Sequence, residues 1–177
     1  EDTVVKFFPE RDYTAEQVYN EMVATIKEAT SNTDTDFDKT AAAFTKIPRF
    51  VLRSVMNLLH FFDYYGLLPR FLTKVSPFHG SMFITSMGSL GIKPIYHHLY
   101  NFGNVPVFIS FGKTRREIES TEDGGIVIKK YLDMSFVCDE RICDGYYYAS
   151  VLKSLKYYIA NPELLDVPPA VINEDIP

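Results

Sequence analysis

A chain of 177 residues, 46% hydrophobic and 15% aromatic, is long enough for one domain with a real core and too apolar to stay disordered. Its net charge of -5, with no basic tract, argues against a nucleic-acid partner. Two cysteines, Cys138 and Cys143, are too few for a secreted disulfide scaffold or a four-ligand zinc site, so they read as buried free thiols in a reducing, cytoplasmic compartment.

Glu1-Asp2 leads straight into Thr3-Val4-Val5-Lys6-Phe7-Phe8, a strand-like run with no signal peptide before it. A chain that opens at the edge of a strand reads as a fragment or processed product. Thr14-Ala15-Glu16-Gln17 is a capping box, a hydroxyl at the cap with Gln three residues on. Val18, Met22, Ile26 and Ala29 then share a face, which predicts a helix to about Ala29. The polar stretch 31–36 is a linker, and a second helix is expected from Phe37 to Thr45.

Pro48 opens the most apolar segment, a helix to about Tyr65 within an apolar helical region over 48–72. Arg53, Asn57, His60 and Tyr64 form its polar stripe. The uncharged run from Ser54 to Phe62 is far shorter than the ~20 residues that span a bilayer. The apolar face is therefore expected on a core, on another subunit or on a membrane surface, with a core the commonest home for such a face. Gly66 and Pro69 end this helix, and Phe71-Leu72 begins a short one.

Ser81 to Met87 reads as a strand, left by the turn Gly88-Ser89-Leu90-Gly91. On pattern alone, Thr85 is no more than a good strand former. His97 and His98 are adjacent but have no acidic or cysteine partner at ligand spacing, so no metal is expected. Val105 to Gly112 is a strand with Val107, Ile109 and Phe111 on one face, and Asp123-Gly124-Gly125 is a hairpin turn. Ile126 to Cys138 returns, with Ile128, Leu132, Met134, Phe136 and Cys138 alternating inward.

The returning strand delivers the chain to Asp139-Glu140-Arg141-Ile142-Cys143-Asp144-Gly145, a short polar turn of the kind that often carries chemistry. Asp144 is placed to cap the next helix. In that helix Tyr148, Val151, Leu152, Leu155 and Ile159 recur at helical spacing, and Asn161-Pro162 closes it. Spacing alone makes this a capped strand-to-helix turn. The coarse order β-α-α-α-β-β-β-α predicts an α+β fold, a two-layer sandwich of mainly antiparallel strands with helices on one face.

Two stretches carry a family resemblance. The run Asp139 to Gly145, followed by Asn161-Pro162-Glu163-Leu164-Leu165, resembles the C-terminal signature of the dihydrolipoyl acyltransferases. These are the acyl-transferring cores of 2-oxo acid dehydrogenase complexes, and chloramphenicol acetyltransferase shares their fold. The family motif is His-x-x-x-Asp-Gly; Asp144-Gly145 is intact here, while Glu140 stands at the histidine position. Phe83-Ile84-Thr85-Ser86-Met87-Gly88 is similar to the family strand whose serine hydroxyl helps hold the tetrahedral intermediate. Thr85 stands at that serine position, and Ser86 is its neighbour.

The resemblance implies one acyltransferase-like domain over 1–177 that lacks the family's N-terminal strand-and-helix portion. It implies a chloramphenicol acetyltransferase-like fold, a homotrimer with active sites between subunits, and coenzyme A as the acyl-CoA substrate. Glu140, Thr85 and Asp144 are the implied catalytic positions, with Ser86 contacting substrate. Asp144 is the architectural member, because in the family it pairs with an arginine of the N-terminal portion.

The exchange of His for Glu has a cost that can be sized. An ordinary histidine at ~6.5 lies about two units below a thiol at ~8.5, and an ordinary glutamate at ~4.3 lies about four. The difference is on the order of 3 kcal/mol, roughly a hundredfold in rate. Burial, or the like charges of Asp139 and Asp144, would recover part of it. Three readings follow: an acyltransferase with Glu140 as general base, a degenerate coenzyme A binder, and a structural or interaction module.

Overall fold

The computed structural model describes residues 4–31 and 46–172. The fold is α+β: four α-helices, a short 3-10 turn and one mixed three-stranded sheet among the described residues. The chain divides into two compact units, one formed by the residues up to Pro77 with those from Tyr147 onward, the other by Phe78–Tyr146.

The first unit is helical. α1, Ala15–Ser31, starts on the capping box, where the Thr14 amide donates to Gln17 Oε1 at 2.8 Å and the Gln17 amide to Thr14 Oγ1 at 3.4 Å. α2, Arg49–Tyr64, starts after Pro48, whose extended backbone sits just outside the helix. It stops at Gly66, which takes the left-handed φ of 66° that side chains resist. α3, Arg70–Val75, follows Pro69.

The strand expected over Thr3–Phe8 does not form in the described part, Val4–Phe8. An extended run becomes a strand only by pairing with another, and this one pairs with none of the described residues. Lys6 instead donates from Nζ to the carbonyls of Thr73 at 2.5 Å and Ser76 at 3.1 Å, at the end of α3. Burial there pulls its amine below the usual lysine value. The helix expected over Phe37–Thr45 lies outside the described residues.

No described residue of this unit is fully buried. Along α2, Leu52, Val55, Met56, Leu59 and Phe62 are half-buried, while Phe50, Leu58 and Phe61 are exposed. α4, Gly145–Ala160, half-buries Tyr148, Leu152 and Leu155 but leaves Val151 and Ile159 exposed, so its inward stripe is narrower than the spacing suggested. It ends at Asn161, whose amide and side chain both donate to the Tyr157 carbonyl, and Pro162 opens the 3-10 turn. Among the described residues no helix is long and apolar enough to cross a membrane.

The second unit holds the sheet, ordered β1-β2-β3: Phe83–Ser86, Val107–Ser120 and Ile126–Cys138. β1 runs parallel to β2 with Thr85 opposite Ser110, and β2 is antiparallel to β3 with Val107 opposite Cys138. β2 continues eight residues past Gly112, where the pattern predicted its end. Gly112 lies in a register irregularity between Phe111 and Thr114, and a Cβ there would come within 2.4 Å of Pro94 Cδ. The glycine thus marks a close approach of another segment within a continuing strand. The charged extension is held by cross-strand pairs, Lys129 to Glu119 at 2.6 Å and Arg115 to Asp133 at 2.8 and 3.1 Å.

The buried side of β2 carries Phe108, Ser110 and Gly112, the face opposite to Val107, Ile109 and Phe111. Phe108, 4% exposed, is the one fully buried apolar side chain among the described residues. It lies between Phe83, with centroids 5.3 Å apart, and His97, at 4.7 Å. Ile128 and Leu132, expected to point inward, are exposed. The closed side of β3 is the opposite one: its buried residue is Ser135, opposite Ser110, while Met134, Phe136 and Cys138 of the expected set are only half-buried.

Two substitutions separate core from surface. Gly112→Ala should cost about 1–3 kcal/mol of stability, read as a lower urea unfolding midpoint, because the added carbon overpacks against Pro94. Phe61→Glu should change stability by no more than about 0.5 kcal/mol, since that ring is 54% exposed. A loss as large as the glycine variant's would put the outer face of α2 in a core.

Candidate active site

β3 ends at Cys138, and the chain turns at once. The Asp139 amide donates to the Pro106 carbonyl at 2.9 Å, tying the turn to the start of β2. The Asp139 carbonyl then accepts from Ile142 and Cys143 at 3.0 and 3.2 Å, closing one tight turn over Glu140 and Arg141. The Asp139 carboxylate accepts from the Arg141 amide at 3.0 Å and from its guanidinium at 2.5 to 3.0 Å. That bidentate pairing holds the Asp139 carboxyl below the usual carboxylate range.

Glu140 is exposed at the tip of this turn, and its acidic neighbour Asp139 is already matched by Arg141. Asp144 occupies the position immediately before α4. Beside the turn lies a shallow recess of about 170 Å³, with Tyr100, Asn104 and Val105 on one side and Asp139, Arg141 and Ile142 on the other. Pattern reading missed the recess because it is made by residues far apart in sequence.

Thr85 and Ser86 point to opposite faces of β1. Thr85 is half-buried on the same face as Ser110. Ser86 is exposed, and its Oγ accepts from the Gly88 amide at 3.3 Å, closing the turn that leaves the strand. β2 separates β1 from β3, so two strand spacings of about 4.8 Å each, and three residues of about 3.3 Å rise along β2, part the Thr85 rung from the Cys138 rung. Within one chain, the strand that carries Thr85 and the strand that leads to Glu140 are therefore not neighbours.

Several polar groups that the sequence left unassigned hold the covering segment in place. Ser110 Oγ accepts from the Ile95 amide at 3.2 Å, and Ser135 Oγ donates to the Ile95 carbonyl. Small hydroxyls at inward strand positions were the signal for them. His97 and His98 stack at 4.6 Å, with His97 against Phe108 and its Nδ1 on the His98 carbonyl at 2.6 Å, so His97 is engaged in packing. Among the described residues no three His, Cys, Asp or Glu side chains cluster as metal ligands would. Cys138 and Cys143 are free but half-buried, less enclosed than expected, with their sulfurs 2.9 Å apart.

The sequence profile of the family described as 2-oxoacid dehydrogenases acyltransferase (catalytic domain) matches residues 73–167, more than half of the chain. The matched region holds both the Thr85 strand and the Glu140 turn. No curated protein matches the chain.

The Asp139–Arg141 pair has a titration signature. The folded-state pKa of Asp139 is depressed, so its contribution to stability is present above the unfolded-state value and is lost as pH falls through the folded one. Arg141→Ala should move the Asp139 titration upward in a carboxyl-detected NMR experiment. An unmoved curve would mean that the guanidinium does not set it.

Proposed function

Since the chain belongs to the family of 2-oxoacid dehydrogenase acyltransferase catalytic domains, we propose that it transfers an acyl group from acyl-coenzyme A or an acyl-lipoyl group to a thiol, hydroxyl or amine acceptor, as a cytoplasmic homotrimer. Glu140 is the general base. It takes the acceptor's proton as the acceptor attacks the thioester carbonyl. The Thr85 hydroxyl donates to the oxyanion of the tetrahedral intermediate, while Ser86, on the other face of β1, closes the turn that leaves the strand. Collapse of the intermediate expels the coenzyme A thiolate, which takes up a proton. Asp144 keeps the turn and α4 in register.

One observation carries this reading. The Thr85 strand and the strand that leads to the Glu140 turn are separated by β2, which supports a site that takes Thr85 and Glu140 from different copies. A site between subunits supplies that arrangement. One feature favours a second reading, a coenzyme A binder without turnover: the proton-transfer position holds a carboxyl group on an exposed turn.

The test is acceptor-dependent release of free coenzyme A from acetyl- and propionyl-coenzyme A, with dihydrolipoamide and with simple amines and alcohols. Glu140→Gln should cut the rate by a factor on the order of a hundred or more with little change in stability. An unchanged rate would remove Glu140 from the base position. Glu140→His should raise the rate by up to roughly a hundredfold. Coenzyme A binding without release in every form would select the second reading.

A further inference from the structure

Cys138 and Cys143 stand at the two ends of the candidate active-site turn. Their sulfurs are 2.9 Å apart, joined by a hydrogen bond, and both side chains are half-buried. The backbone already holds them in place: the Asp139 amide is fixed to Pro106, and Ile142 and Cys143 both donate to the Asp139 carbonyl. A disulfide needs its sulfurs at about 2.05 Å, so less than an ångström of approach separates the pair from a bond. We propose that Cys138 and Cys143 form a reversible disulfide that closes a covalent ring around Asp139, Glu140, Arg141 and Ile142.

The oxidant is a small-molecule disulfide such as oxidised glutathione. Burial, with the Cys143 sulfur beside it, pushes the Cys138 thiol up. One of the two cysteines, as its thiolate, displaces one glutathione as its thiol and leaves a mixed disulfide. The other cysteine then gives up its proton and attacks that sulfur, expelling the second glutathione. The protein loses two electrons and two protons, and oxidised glutathione gains them as two thiols. Dithiothreitol or another dithiol runs the reaction backwards. The proposal concerns the turn itself and holds whether or not Glu140 transfers protons.

The whole chain would be incubated with oxidised glutathione under native conditions, then analysed by thiol titration, intact mass and peptide mapping. Both free thiols should disappear, with the mass lowered by two hydrogens and one peptide pair joined through Cys138 and Cys143. Amide exchange over residues 139–143 should slow, and dithiothreitol should restore it. Cys138→Ser and Cys143→Ser should each instead keep one glutathione on the remaining cysteine. Glutathione retained on both cysteines of the wild-type chain, crosslinks between chains, or unreacted thiols would each overturn the proposal. If a variant does not fold, the wild-type measurement alone decides.

Discussion

The sheet unit depends on one residue's peptide groups. Ile95 crosses the face of the sheet with no strand beside it, and its amide and carbonyl would be costly to leave unmatched there. Ser110 on β2 accepts from the amide, and Ser135 on β3 donates to the carbonyl, so two small hydroxyls replace a missing ladder. Both serines are almost fully buried, at 0% and 4% exposed. With Ile95 fixed, Pro94 comes down on Gly112 and His97 on Phe108. Larger side chains at 110 or 135 would lift the segment and uncover the one fully buried apolar ring among the described residues.

Features governed by neighbours in the chain were legible. Thr14 and Gln17 announce α1, Pro48 and Gly66 bracket α2 to within a residue or two, and Asp123-Gly124-Gly125 turns the hairpin, with Gly124 at a φ of 81°. What failed to show depended on partners far away. Val4–Phe8 has the residues of a strand but no described edge to pair with. The stretch 114–120 has the composition of a polar loop, yet pairs rung by rung with β3, where Arg115 meets Asp133 and Glu119 meets Lys129. Alternation along β3 pointed to its apolar side, yet the residue that closes is Ser135 on the other side, because the Ile95 segment lies over the hydroxyl-bearing face.

The candidate site divides in the same way. The Glu140 turn and the Thr85 strand could be picked out as short motifs, because each chemistry is local. Their separation could not, because it is set by β2 lying between them. Nor could the matching of Asp139 by Arg141, although the two are only two residues apart. That contact needs the tight turn first, and the turn needs the anchor at Pro106.

This division constrains how the proposed chemistry can be held in place. Within one chain, Glu140 is positioned by the end of β3 and by Asp139, while Thr85 is positioned by its rung on β2. No described contact couples the two. On the proposed reading their spacing is therefore set by the contact between subunits, and the register of that contact limits how well a carboxylate can stand where the family places an imidazole. Glutamate and histidine differ in reach, and errors of about an ångström are costly to a proton transfer. Assembly geometry and the identity of residue 140 must then be suited to each other, and a change at one is expressed through the other.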